Sequence, residues 1–247
     1  MFYLKHVYSI IYSTLLILFV LCSAFVSVNA QETTPTPTIN CNKPTVETGA
    51  TRHTLVSRNQ MRSYVRYVPE SYDPTQPTAL VLALHGILSD GDQMQDYTGW
   101  NAVADERNFI VVYPEALFAP NLFVFFPLPE DTEDPVDDVA FIDDLLIPLR
   151  HDLCIDNQRI YVSGFSAGGA MTLYLACRMA DEIAAVGVMS ALYIEDFDDP
   201  NWCAPAVPVP LIALHGTHDD VVDYEGGEGF GWVYLPFETW TAAWAAR

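Results

Sequence analysis

The chain has 247 residues, a formal net charge of −21 and 51% hydrophobic residues. Acidity on this scale excludes a phosphate-backbone binder, since the protein's own field opposes nucleic acid. The length suffices for one large domain with a substantial core. No Cys-x-x-Cys or His-Glu-x-x-His spacing occurs, so neither a metal nor a cofactor is expected.

Lys5, an apolar stretch from Ile10 to Val26, and Val28-Asn29-Ala30 form a basic start, an apolar middle and small residues at −3 and −1. That is the layout of a cleaved secretory signal peptide over residues 1–30. Those thirty residues carry one Lys and no acid, so cleavage leaves 217 residues with a net charge of −22. Residues 31–48 are polar, with Thr-Pro repeats from Thr34 to Thr38, and read as a linker without regular structure. Cys22 leaves with the signal. Cys41, Cys154, Cys177 and Cys203 remain, an even number for an oxidising compartment, open to three disulfide pairings.

From residue 49 to 247 the pattern is that of a single domain. "RSYVRYVP" (62–69) alternates, as a half-exposed strand does. "ALVLALHG" (79–86) is a continuous apolar run ending in a turn, as a buried parallel strand is. "NFIVVYP" (108–114), "RIYVSG" (159–164), "AAVGVMS" (184–190) and "VPLIALHG" (209–216) repeat that form. Helices are expected at 93–107, 138–152 and 167–180, and an amphipathic helix is in progress in "FETWTAAWAAR" at Arg247. Pro148 should kink or shorten the second of these. Strands alternating with helices imply an α/β fold, a mostly parallel sheet with helices on both faces. Active residues then gather beyond the carboxyl ends of strands. The irregular stretch from Phe118 to Pro135, with Phe123, Phe125 and Phe126, is expected to cover the site and to offer it aromatic rings.

"YVSGFSAGGAM" (161–171) sets Ser166 between Gly164 and Gly168, with a strand entering and a helix leaving. Strand, sharp turn and helix are what an exposed nucleophilic serine requires. Side chains at 164 or 168 would collide with neighbouring backbone. The Ala167 N–H and the helix dipole would favour a developing negative charge. A second donor is expected from the turn after an earlier strand, at the Ile87 N–H, with His85 as a hydrogen bonder there. Asp219 ends a later strand and is the candidate orienting acid, with Asp220 as its rival. The base is missing: the triad order is Ser, acid, His, and no histidine follows His218. His53, His151 and His215 read as residues of strand start, helix end and strand end.

With these residues in hand, the chain resembles the secreted esterase family of polyhydroxybutyrate depolymerases and feruloyl esterases. The resemblance rests on "RSYVRYVPESYDP", "LVLALHG", "TGWNAVADERNFIVVYPE", "DDVAFIDDLL", "RIYVSGFSAGGAMTLYLAC" and "VPLIALHGTHDDVVDYEGG". It implies an α/β-hydrolase with Ser166 as nucleophile, Asp219 as triad acid, and Ile87 and Ala167 as oxyanion donors. It also implies that the last strand and the His-bearing segment lie beyond residue 247. The partner would be an ester substrate, polymeric in kind, with no nucleic acid and no membrane after signal cleavage. Feruloyl or acetyl esters of plant polysaccharide lead, and polyhydroxybutyrate is the alternative. A non-catalytic carbohydrate- or surface-binding relative is the rival of another class. A carboxylate-pair glycosidase built on Asp137, Asp138, Asp143 and Asp144 ranks last, because these residues fit helix capping and a solvated face better.

Overall fold

The computed structural model describes residues 41–118, 120–125, 136–194, 203, 207–229 and 232–246. The expected signal peptide, residues 31–40 of the expected linker, Phe126 and the acidic, Pro-rich end of the 118–135 stretch lie outside these residues. Among the described residues no helix is long and apolar enough to cross a membrane.

The chain begins with a hairpin, β1 (Gly49–Ser57) and β2 (Gln60–Val68). Arg58 and Asn59 join them with φ of 48° and 63°, the doubly left-handed turn that matches strand twist. β1 is an addition to the expected strands. Its regular alternation of partly buried and exposed residues is that of an edge strand. β3 (Thr78–Leu84) is buried along its whole length. β4 (Phe109–Pro114), β5 (Ile155–Phe165), β6 (Ala185–Met189) and β7 (Leu211–Leu214) follow. The sheet order is β1-β2-β4-β3-β5-β6-β7. Pairings from β4 across to β7 are parallel, and β2 joins β4 antiparallel. The chain leaves β3 in one direction to form β4 and returns past it to form β5. The ends of β3 and β5 therefore lie side by side at the point where strand order reverses, where such sheets bind ligands.

The helix expected at 93–107 is two helices, α1 (Gly91–Thr98) and α2 (Trp100–Arg107). Gly99 divides them at φ 60°, a left-handed cap that periodicity alone does not reveal. α3 (Asp138–Asp152) runs through Pro148 without being shortened. Phe141, Ile142, Leu145, Leu146 and Leu149 are buried along it, and burying five such side chains exceeds the ~3 kcal/mol a mid-helix proline costs. α4 (Ala167–Arg178) follows the serine. A short hairpin, β8 (Gly227–Gly229) and β9 (Trp232–Tyr234), precedes α5 (Phe237–Ala245), which ends before Arg247.

α1 and α2 cover one face of the sheet, packing Met94 and Ala104 against Val65, Val81, Ala83 and Val111. α3, α4 and α5 cover the other, the last through Trp240 against Leu173 and Val188. On the α1–α2 side, the β5–β7 end of the sheet has no helix over it among the described residues. Ile212 is 69% exposed and Leu214 55%, with Phe165 and Met189 exposed beside them. Cys41 pairs with Cys154 and Cys177 with Cys203, resolving the three options left open by the sequence. Lys43 also caps α3, its Nζ donating to the carbonyls of Arg150 and His151. From Cys41 onward the chain is thus fastened to the domain rather than loose, a correction to the linker expected up to residue 48.

Candidate active site

β5 delivers Ser166 into a backbone that serine rarely adopts, φ 54° and ψ −121°. Such strain costs on the order of 1–3 kcal/mol and persists only where the surroundings enforce it. Here the Ser166 N–H donates to the Met189 carbonyl at the end of β6 (3.0 Å), and its carbonyl accepts from Ala170 N–H in α4 (3.1 Å). A serine at a helix start usually caps it, but this hydroxyl makes no capping bond. The residue is partly exposed. The glycines act as expected: a Cβ on Gly164 would overlap the Gly168 backbone and Thr172 Oγ1, and one on Gly168 would overlap the Leu84 and His85 carbonyls.

The turn after β3 lies against this elbow. A Cβ on Gly86 would already touch the Ser166 Cβ at 3.4 Å. Ile87 and Ser166 border one cavity of about 940 Å³, which runs along the uncovered strip past Phe165, Met189, Ile212 and Leu214. Ala167 opens α4, where the first N–H groups have no partner within the helix. His85 is fully buried. Its Nδ1–H donates to the Gly86 carbonyl (2.8 Å), and its Nε2 accepts from the Ala116 N–H (3.1 Å). Both bonds need the neutral ring, and burial lowers its pKa. Leu88, at φ 65°, donates its N–H to the Pro120 carbonyl, and Asn121 Nδ2 donates to the Ser89 carbonyl.

The segment 120–125 is therefore a brace behind the turn that follows β3. Its expected aromatic wall is corrected, since Phe123 and Phe125 are core residues, with Phe123 against the His85 ring. The turn chemistry gives no warning of this, because a buried ring and a pocket ring look alike in sequence. The brace is anchored by Asp138, whose Oδ2 accepts from the Val124 N–H (2.6 Å) and whose Oδ1 pairs with Arg62 (2.5 Å) with both side chains buried. Asp137 caps α3 by accepting from the Ala140 N–H. Asp137 and Asp138, two of the four carboxylates of the glycosidase alternative, are thus occupied structurally.

Asp219 follows β7. Its Oδ1 accepts the N–H groups of Val221 and Val222, both at 3.0 Å. Burial raises its pKa, but the Val222 and Val221 N–H groups, the Ser190 hydroxyl and His215 outweigh that and lower it. Asp220 is exposed. His215 Nε2 stands 3.6 Å from Asp219 Oδ2 and donates to the Val222 carbonyl at 2.7 Å. Its ring lies among Tyr193, Tyr224 and Phe237. His53 lies within β1, His151 in the last turn of α3, and His218 beside Thr217 on the surface. Among the described residues no histidine lines the cavity at Ser166. Ser190, directly after β6, has φ 45° and donates its N–H to the Leu214 carbonyl at 2.9 Å, although no motif marks it.

The profile of the family described as Esterase PHB depolymerase matches residues 62–199. Feruloyl esterase C of Emericella nidulans is 32% identical over 198 residues, covering 78% of this chain and 67% of that protein. A bifunctional acetylxylan esterase/xylanase of Neocallimastix patriciarum is 32% identical over 167 residues, 66% of this chain but 22% of that protein. The chain thus spans about a fifth of one relative and two thirds of the other. A CE1 ferulic acid esterase from Anaeromyces mucronatus, solved with ferulic acid, shares the fold at a TM-score of 0.54 and 21% identity, over 76% of this chain and 79% of that one. The fold class expected from the sequence, a mostly parallel α/β sheet of the hydrolase type, is the one observed.

Proposed function

The chain belongs to the Esterase PHB depolymerase family, and from that premise we propose that it is a secreted serine esterase. It would hydrolyse carboxylic esters, such as feruloyl or acetyl esters of plant cell-wall polysaccharide, through an acyl-enzyme. The carrying observation is the strained, uncapped Ser166 at the mouth of a cavity. Relatives named as feruloyl and acetylxylan esterases support the ester class, and two disulfides fit an oxidising compartment.

In this reading Ser166 Oγ attacks the ester carbonyl as a histidine base takes its proton. Asp219 orients that base. The tetrahedral oxyanion is held by the N–H groups of Ile87 and Ala167, aided by the α4 dipole. The base returns the proton to the departing alcohol. Water then attacks the acyl-enzyme, releasing the acid and restoring Ser166. The base is not identified among the described residues. Without it turnover falls by several orders of magnitude.

The family profile itself keeps polyhydroxybutyrate as the second substrate. The test is product analysis on feruloylated arabinoxylan, acetylated xylan and polyhydroxybutyrate, beside p-nitrophenyl acetate. Release from a polysaccharide that Ser166→Ala abolishes supports the leading reading, and oligomers from polyhydroxybutyrate support the second. No turnover of any of them overturns both and favours a non-catalytic binding relative.

A further inference from the structure

We propose that His215 is a positioning residue for Asp219, acting through the Val222 peptide rather than on the carboxylate itself. The proposal rests on reading Asp219 as the triad acid. A closed circuit of contacts carries it. The His215 Nε2–H donates to the Val222 carbonyl at 2.7 Å, and the Val222 N–H donates to Asp219 Oδ1 at 3.0 Å. The same oxygen accepts the Val221 N–H at 3.0 Å, and the Asp219 N–H donates back to the Gly216 carbonyl at 3.2 Å. The loop that carries the acid is thereby tied to the residue directly after β7. His215 Nε2 stands 3.6 Å from Asp219 Oδ2, too far for a hydrogen bond, so its N–H is committed to Val222.

Two further observations concern the ring. The His215 side chain is fully buried. It lies among Tyr193 after β6, Tyr224 beyond the acid's loop and Phe237 at the start of α5, with ring centroids 5.5, 5.9 and 5.6 Å away. Three separate segments thus fix the imidazole, and its bond to Val222 passes that position on to the loop. Val222 is itself buried, so its carbonyl would be left without a partner if the donor were lost. The other observation is an expense in stability. Among the described residues His215 Nδ1 is buried with no hydrogen-bond partner. Such a nitrogen destabilises the fold, and an apolar side chain would fill the aromatic cage without it. What histidine offers over leucine is the Nε2–H, and that N–H holds Val222. The titratable groups facing the pair are Tyr193, Tyr224 and, in the surface depression beside Asp219, Asp220, Asp223 and Glu228.

The experiment compares His215→Leu, which fills the cage and lacks the donor, with His215→Gln, whose amide N–H reaches the place of Nε2. Asp219 is followed by carboxyl-13C aspartate NMR, its resonance assigned by loss in Asp219→Asn. Amide hydrogen exchange at Val221 and Val222 is measured beside it, and kinetics use p-nitrophenyl acetate. In His215→Leu the Asp219 titration midpoint rises, both amides exchange about tenfold faster, and kcat falls about tenfold at unchanged KM, the scale of one hydrogen bond to a charged group. His215→Gln recovers all three. An unmoved midpoint or unchanged exchange in His215→Leu overturns the proposal. So do equal changes in His215→Gln, since packing and not the donor then holds the loop. Where His215→Leu does not fold, a parent-like midpoint and exchange in His215→Gln uphold the proposal and a moved midpoint overturns it. A parent protein inactive on this ester, or a moved midpoint with kcat unchanged, instead overturns the reading of Asp219 as a triad acid, while midpoint and exchange still decide whether His215 holds it.

Discussion

Gly168 and His85 shape the turn beside Ser166, and each fails in its own way. An alanine methyl at Gly168 has no free direction, because the Leu84 and His85 carbonyls occupy its place. Gly168→Ala should therefore cost roughly 2–3 kcal/mol by overpacking, a fall in melting temperature of about 5–10 °C for a domain of this size. Calorimetry checks it. Since the displaced carbonyls lie at the end of β3, just before the Ile87 N–H proposed to hold the oxyanion, activity should fall further than stability does. His85 makes a pH prediction. Burial depresses its pKa from 6.5, so the neutral ring's contribution to stability is complete above the unfolded value and is lost as pH falls toward the folded one. His53 shifts in the same direction. In His85→Ala the melting temperature should drop at pH 7 and decline less steeply than the parent's on the way to pH 5. The serine, its glycines and His85 as a turn-maker were legible because each obeys a local steric rule. The left-handed backbone of Ser190 was not, because nothing in its neighbouring residues marks a turn there.

At the level of elements, the expected strands and helices rest on continuous apolar runs and 3.6-residue periodicity, and those signals survive folding because burial enforces them. The exceptions are instructive. Gly99 splits one expected helix through a left-handed cap, and β1 joins the sheet edge by a turn of two positive-φ residues without glycine. Phe123 and Phe125 point inward because the segment that carries them is pulled down by Asp138. That anchor can be cut. Asp138→Ala leaves Arg62 buried without its partner and Val124 without an acceptor. The expected loss is about 3–5 kcal/mol, the usual penalty for breaking a buried ion pair from one side, measured by chemical denaturation. Arg62→Met with Asp138→Leu should be markedly less harmful than either single change, since no charge is then stranded.

For the molecule as a whole, the two disulfides differ most in the loops they close. Cys41 and Cys154 are 113 residues apart in sequence, Cys177 and Cys203 are 26. On chain-entropy grounds the first contributes about 5 kcal/mol and the second about 3.5 kcal/mol. Replacing each pair by serines should lower the melting temperature in that order, and Cys41→Ser with Cys154→Ser should also release the Lys43 cap on α3. Neither pairing could be read from spacing, because both depend on where the sheet brings distant segments.

The uncovered strip beside β5–β7 has a bearing on the chemistry itself. It shares its cavity with Ser166, so the medium filling that strip is also the medium around the oxygen proposed to react. Filled with water, it damps the amide dipoles that face a developing anion; filled with hydrocarbon, it lets the same dipoles act several times more strongly. In the proposed reaction, wetting of a patch more than one strand away from the serine would therefore work as a dial on its reactivity, with no atom of Ser166 displaced.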